Sequence, residues 1–556
     1  MASHLSLGAA SLAVVLAALA CHAVFKRWEP TNLWTLISLL VFVPVSISVL
    51  LTPSYGYAPS LALSFSVYLT SLATSIVAYR LSPLHPLARY PGPTMFKVSK
   101  WWSVWIARDG KQHLYIHNLH EQYGDVIRIG PNEISLRDVT VAKATLGGQG
   151  LSKGPNWTGR TMNAPIPPLI AQREPVEHAR RRKPWNRALN VAALKEYQPH
   201  VARRVHQIVD QLARETCPVD LAKLIGYFTY DLMGDIMFGG GTEIMRDGDK
   251  DCLWEILEDG LNTSAVFEKV PWLAAFAAFV PSLGQNLKVM RGGALTRTQQ
   301  RYKSGPIHKD LFYYLSNEDG KEEVSPPPHI VISDGALALV AGSHTTSSVL
   351  ANAIYLILCH PQVYGRLRRD IDAFYPSGDD AADPKYYAEI PYLDAVINET
   401  LRLFPAVPSG IQRAPVVGAG DKMIGPYYLP EGSNVRVHVW SLHHDPRNFS
   451  RPDAFWPERW LIADGFKEGR SAPNSEKFNH NLDAYVPFSY GPAHCVGKNL
   501  AMQEMRVFVA CMMHELNLRF AEDWDPVNWE RDMEDRQSMR VGRLPVVAER
   551  RSGRGN

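Results

Sequence analysis

At 556 residues the chain has room for several average domains, but an apolar segment takes about the first eighty and no flexible linker divides the rest, so one large domain is expected. Hydrophobic residues at 46%, charged residues at 20% and a net charge of +3 describe an ordinary globular protein with an apolar addition, and they give no electrostatic case for a nucleic-acid partner. The six cysteines (Cys21, Cys217, Cys252, Cys359, Cys495, Cys511) are scattered without Cys-x-x-Cys or Cys-x-x-Cys-His spacing, so the sequence suggests neither zinc nor covalently attached haem, and a reducing compartment fits best.

Three apolar stretches, residues 5–25, 33–51 and 58–78, open the chain, each near the roughly 20 residues that a spanning helix needs. A signal peptide followed by core helices is the alternative; the missing early basic region and the repeated uncharged runs argue against it. Lys26 and Arg27 follow the first stretch and Arg80 the third, whereas residues 1–4 and 52–57 carry no Lys or Arg. The positive-inside rule then expects a luminal N-terminus and a cytosolic main domain. Prolines at 83, 86, 91 and 93 forbid regular helix over residues 81–93 and stiffen the chain there. Trp101, Trp102 and Trp105 follow within about one turn, and both a seat at the bilayer interface and core packing are open to them.

From Asp125 to Arg137, Ile127 and Ile129 precede Gly130-Pro131-Asn132, and Ile134 and Leu136 follow it, a hairpin pattern that predicts a small sheet. The run Glu177-His178-Ala179-Arg180-Arg181-Arg182-Lys183 places His178 and Arg182 on one helical face. A charge run is usually a solvated face, and Arg180 and Arg181 are expected to be wet. Residues 271–281 are apolar and proline-bounded, too short to span, and expected to be buried or interfacial. After Ser325-Pro326-Pro327-Pro328 a long helix is expected over residues 330–359, apolar nearly all round over 336–340 and hence buried. It contains Ala341-Gly342-Ser343-His344-Thr345-Thr346.

Over residues 391–404, Leu393, Val396, Ile397, Thr400, Leu401 and Phe404 make one apolar face and leave Glu399 and Arg402 on the other, which periodicity alone reads as a surface pair. Residues 434–440 alternate through Val435, Val437 and Val439 and read as a strand. Pro457-Glu458-Arg459-Trp460 precedes a charged, glycine-containing stretch over 461–483 that is expected to be an exposed loop. Asn156, Asn262, Asn398 and Asn448 lie in glycosylation sequons, which a cytosolic domain would leave bare. No internal repeat is evident. Last comes Phe488-Ser489-Tyr490-Gly491-Pro492-Ala493-His494-Cys495-Val496-Gly497, in which Gly491 and Gly497 permit positive φ and close approach to a flat ligand. The helix expected from Lys498 to about Leu516 brings N-terminal amides near the sulfur, which favours a thiolate.

Phe-x-x-Gly-x-x-x-Cys-x-Gly resembles the haem-binding signature of the cytochrome P-450 family. Glu399-Thr400-Leu401-Arg402, the Pro-Glu-Arg block and the Ala-Gly-x-x-Thr-Thr run resemble further family marks in the expected order, over roughly residue 83 to the C-terminus. The resemblance implies a mainly α fold with a small β region, preceded by transmembrane helices: an anchor over 1–80, a proline-rich hinge over 81–100 and a haem-thiolate catalytic domain over 101–556. It implies haem b with Cys495 as axial iron ligand in a loop shaped by Phe488, Gly491 and Gly497, and His178, Arg182 and Arg413 as propionate contacts. Glu399, Arg402 and Arg459 would form a buried bracing network. Ala341 and Gly342 would open the oxygen-side groove, Thr345 would donate the stabilising hydrogen bond, and His344 would either relay protons or be an ordinary packed or solvent-facing histidine. Two departures stand out: His344 occupies the place of the family's acid, and Ala493 that of an arginine. The apolar stretch over 271–281 resembles the family's lid over the substrate channel.

The implied activity is monooxygenation of a lipophilic substrate, with O2 and with electrons from NADPH through a membrane-bound NADPH-cytochrome P-450 reductase in the endoplasmic reticulum. The Gly-Pro-Ala-His variation and the Pro-Trp-Asn-Arg run (184–187) look most like fungal members of specialised metabolism, for which terpenoid, steroid-like or polycyclic aromatic substrates are plausible. The rivals are a haem-thiolate isomerase or dehydratase that needs no reductase, and a non-catalytic haem sensor.

Overall fold

The computed structural model describes residues 6–27, 32–148, 150–161, 164, 166–276, 285–305, 308–465 and 478–551. Residues 1–4, the second half of the apolar stretch over 271–281 and most of the charged stretch over 461–483 lie outside the described residues.

The N-terminal apolar stretches are three helices with the length and hydropathy to cross a membrane: Leu7–Lys26, Leu33–Tyr55 and Tyr57–Leu81. The second contains a wide turn at Ser38–Phe42. The cause is Pro44, which has no N–H and whose ring clashes with the carbonyl four residues back. Val14, Ala18 and Cys21 pack against Tyr68 and Leu72, and the Tyr68 hydroxyl donates to Leu39 O at 2.8 Å.

The proline-rich segment that follows is packed onto the domain. Leu87 and Tyr90 are buried in one cluster with Val126, Ile134 and Val435. Arg128 N donates to Pro91 O at 2.7 Å, and a Cβ on Gly92 would stand 2.4 Å from Arg128 O, so only glycine allows this approach. Arg80 Nη1 donates to Val98 O at 2.7 Å, and Arg128 Nη1 to Arg80 O at 3.1 Å, tying the end of the third helix to the sheet. In the short helix Trp101–Ala107, Trp102 packs against the cluster of Phe96 and Ile129, while Trp101 and Trp105 stay exposed.

The rest is mainly helical around one large core. The central helix, Pro328–Cys359, packs against Leu221–Phe238 and against Lys498–Glu515, the helix that follows Cys495. Pro328 occupies its first turn, where a missing N–H costs nothing. Beside the helices lies a five-stranded sheet of β1 (Val126–Gly130), β2 (Glu133–Leu136), β3 (Ser152–Lys153), β4 (Gln412–Ala414) and β5 (Asn434–Val437), in the order β1-β2-β5-β4-β3. The hairpin β1–β2 forms as its alternation predicts. Register places Lys153 opposite Arg413, and Arg413 opposite Val435.

Three expectations are corrected. The strand expected over 434–440 stops at Val437, because the His438 side chain accepts from Ser441 N and caps a short helix, Val439–His443. Leu461, assigned above to an exposed loop, is buried in the helix Glu458–Ala463. Arg181 is not wet: it is buried and pairs with Asp334 at 2.6 Å, whereas Arg180 is exposed and pairs with Glu177.

Candidate active site

The loop before Lys498–Glu515 is shaped by its backbone. Cys495 N donates to Phe488 O at 2.9 Å. Gly491 has φ +76, and a Cβ there would stand 2.1 Å from Leu146 O, so the position demands glycine. Gly497 does not share this reason. Its φ is −83, and the expectation of positive φ there fails; a Cβ at Gly497 would meet the Cys495 sulfur at 3.9 Å. The Cys495 side chain is accessible, yet its sulfur is enclosed enough that burial pushes the thiol up from its ordinary pKa. The Gly497 and Lys498 amides and the Arg182 and Lys498 charges oppose that shift. A metal that takes a thiolate would complete this set of donors.

A concentration of positive charge lies nearby. Lys153 and Arg413 face each other across β3 and β4, and like charges directly opposite destabilise a sheet. Both are buried; Arg413 Nε and Nη2 have no hydrogen-bond partner among the described residues, and burial lowers this guanidinium to about 10. Arg182, on the helix Pro175–Ala188, completes the group, and His178 of the same helix stands beside it as a neutral imidazole. Burial first, then Lys153, Arg182 and Arg413, push His178 down to about 3. Arg182 Nη1 donates to His494 O at 2.8 Å, linking this helix to the cysteine loop. Opposed buried cations with two unpartnered guanidinium nitrogens fit a dianionic ligand, and the two carboxylates of a haem meet that demand. Sequence reasoning missed Lys153; its one signal is the basic residue in the two-residue strand paired with Arg413.

On the central helix, Ala341 and Thr345 are partly accessible, and Thr345 Oγ1 donates to Ala341 O at 2.6 Å. Gly342 has a packing reason: a Cβ there would come within 2.4 Å of Met233 Sδ on the neighbouring helix. His344 is buried, with Nδ1 2.9 Å from Ser538 Oγ and its ring stacked on Trp254 at 5.9 Å. Burial, reinforced by Arg540 and Arg160, pushes it down to about 3, so it is neutral at physiological pH. Asp334, six residues before Val340 on the same helix, was not singled out by sequence reasoning: it accepts from Leu169 N at 2.8 Å as well as from Arg181, and joins the central helix to the basic one.

Glu399 and Arg402, on the helix Pro391–Leu403, are fully buried rather than a surface pair. Arg402 Nη2 and Nε reach Glu399 Oε1 and Oε2 at 2.9 and 3.0 Å, and Arg459 Nε reaches Oε1 at 3.0 Å. Trp460 Nε1 donates to Oε2 at 3.0 Å, a contact that phenylalanine could not make. Burial alone would raise the Glu399 carboxyl, but Arg402 and then Arg459 outweigh it and hold it below its ordinary value. The remaining guanidinium donors close on carbonyls: Arg402 on His443 and Pro452, Arg459 on Ser450 and Arg451. This network holds the segment leading to the cysteine loop against the helix.

A cysteine presented by a glycine-shaped loop, beside a buried cationic cluster and under a long central helix, defines a haem-thiolate protein. The sequence model of the family described as Cytochrome P450 matches residues 91–539. The chain is 32% identical to "Cytochrome P450 monooxygenase FCK2" of Fusarium pseudograminearum over 461 residues, covering 82% of this chain and 80% of that protein. It is 29% identical to "Cytochrome P450 67" of Uromyces fabae over 532 residues (94% and 96%), and 27% identical to "Tryprostatin B 6-hydroxylase" of Aspergillus fumigatus over 504 residues (90% and 87%). The chain belongs to the cytochrome P-450 family and is a monooxygenase of that family.

Proposed function

We propose that this monooxygenase inserts one oxygen atom of O2 into a lipophilic substrate, using haem b ligated by Cys495 and electrons from NADPH delivered by NADPH-cytochrome P-450 reductase. The observation that carries the haem assignment is the buried Lys153–Arg413 pairing, in which two Arg413 nitrogens have no hydrogen-bond partner among the described residues. When bound, haem supplies the reductive activation of dioxygen, one atom entering a C–H or C=C bond and the other leaving as water.

The chain's residues divide the remaining work. Cys495 supplies the thiolate, and the Gly497 and Lys498 amides spread its charge. Arg413, Arg182, His178 and Lys153 hold the propionates, taking the load that an arginine at Ala493 would share. Ala341 leaves room beside the helix, and the Thr345 hydroxyl, which donates to Ala341 O, is the proton-bearing group on that accessible face. His344 points about 100° away around the helix. Its placement favours a tie to Ser538 and Trp254, with protons arriving at Thr345 through water.

The three apolar helices support a multi-pass anchor in the endoplasmic reticulum with the catalytic domain in the cytosol. Lys26 and Arg80 lie in the last turns of the first and third helices, and Asn156 and Asn448 of two sequons are buried and so closed to glycosylation in the folded domain. The fungal relatives, among them a hydroxylase of tryprostatin B by name, support a role in specialised metabolism on a terpenoid, steroid-like or polycyclic aromatic compound. The test is NADPH consumption by microsomes with added reductase and a hydrophobic panel, alongside the spectrum of the reduced carbon monoxide complex in the parent and in Cys495→Ser. Substrate-dependent consumption and a thiolate-type band lost in Cys495→Ser are expected. Conversion without NADPH would establish the isomerase reading, and an unchanged band in Cys495→Ser would remove the haem-thiolate one.

A further inference from the structure

Far from the haem loop, three elements that share no sequence motif bring three kinds of metal donor together. His206 lies on the helix Val191–Arg214, Asp380 in the turn after the helix Pro361–Phe374, and Cys511 on Lys498–Glu515, roughly 20 Å along that helix from its start, taking 13 residues (511 − 498) at 1.5 Å each. One ligand atom of each lies within 4.8 Å of the other two. We propose that His206, Asp380 and Cys511 bind one divalent transition ion, zinc by preference, and so staple the helix after the haem cysteine to the two elements packed on it.

The donor set selects the ion. Imidazole nitrogen, carboxylate oxygen and thiolate sulfur together suit zinc, whereas calcium and magnesium demand oxygen ligands. His206 Nε2 and Asp380 Oδ1 are 2.9 Å apart, a hydrogen-bond distance that widens to roughly 3.3 Å between neighbouring donors about 2.0 Å from a tetrahedral ion. Ala382 N donates to the same Asp380 oxygen at 2.8 Å and orients the carboxylate. Cys511 is fully buried, while the His206 and Asp380 side chains are 43% and 52% exposed, so the sulfur forms the floor of a site whose other two walls open to water. That opening is an entry path. Glu515, one turn beyond Cys511, bears electrostatically on both His206 and Cys511 and stands at the rim, 3.5 Å from Arg550; it or a water takes the fourth position.

The charges close as well. Binding releases the Cys511 thiol proton to solvent, and with water in the fourth position one thiolate and one carboxylate neutralise the dication, so no net charge is left in the seam. A buried cysteine alone would be an inert core residue. What distinguishes Cys511 is that two further donors of different chemistry converge on its sulfur.

The full-length haem-containing protein, stripped with a chelator and re-equilibrated with buffered zinc alone, supplies the test. Zinc per polypeptide is measured by elemental analysis and Tm with and without the ion. About one zinc per chain is expected, with a rise in Tm on binding. His206→Asn and Asp380→Asn, both at half-exposed positions that leave the core intact, should each weaken zinc binding by about tenfold or more and remove the Tm shift, as should Cys511→Ser. Equal zinc content and equal Tm response in the parent and His206→Asn would overturn the proposal and leave a hydrogen-bonded His–Asp pair above a buried thiol.

Discussion

His344 Nδ1 and Ser538 Oγ stand 2.9 Å apart, joining the central helix to the strand Ser538–Arg540, and the imidazole plane lies at 18° to that of Trp254. In the chain's alignment of motifs His344 takes the place of an acid, but a ring so enclosed and held down at about 3 does not exchange protons near neutrality. His344→Ala should cost about 1–3 kcal/mol of stability through the lost hydrogen bond and ring contact. The pH dependence of turnover between about pH 6 and 8 should match the parent's. A limb in the parent's profile that disappears in the variant would make His344 a proton carrier.

Haem retention should depend on the opposed cations. Arg413→Ala and Lys153→Ala each leave a propionate short of a buried cation, and each is expected to weaken haem binding roughly tenfold or more. Haem per polypeptide after gel filtration and the rate of haem transfer to an acceptor protein measure it. Parent-like retention in both variants would separate these residues from the propionates.

Trp460→Phe tests the indole donor on Glu399. It keeps an aromatic ring but removes the indole N–H that reaches Oε2 at 3.0 Å. Because Arg402 still serves the same oxygen, the cost should sit near the low end for a bond to a charged group, about 1.5 kcal/mol. Urea unfolding would read it, and a midpoint unchanged from the parent would assign Trp460 a packing role alone.

Acid lability follows from a seam of buried histidines. On the helix Gln112–Tyr123, His120 faces His438 and His113 packs on Trp440, which stacks on His444; His443, beside His444, packs against Tyr485. Burial pushes His113 and His120 down to about 4 and His443 to about 3, and His438 and His444 well below their ordinary value. The unfolded chain therefore binds more protons than the native one below about pH 6.5, so stability present above that pH is lost as pH falls towards the folded values. Each such histidine contributes a slope of up to about 1.4 kcal/mol per pH unit in that window. Urea midpoints should drop steeply from pH 7 to about pH 5. A flat profile would show that these histidines titrate normally.

What could be read in the chain was local. The spacing of Phe488, Gly491, Cys495 and Gly497, the Glu399-x-x-Arg402 pair, Arg459 after Pro457, and the long apolar run ending at Cys359 are short-range patterns, and hydrophobic periodicity placed their helices to within a few residues. The hairpin around Gly130-Pro131-Asn132 was legible for the same reason. Periodicity reports only which face of an element is apolar, however, and is silent on what covers the polar face. Glu399 and Arg402 looked like a surface pair until residues 443–460 folded over them and their charges became a buried network. Lys153 meets Arg413, and Cys511 meets His206 and Asp380, across separations of a hundred residues or more, where no linear spacing survives. Charge pairing and donor geometry depend on which elements pack side by side, and that follows from burying the whole core at once.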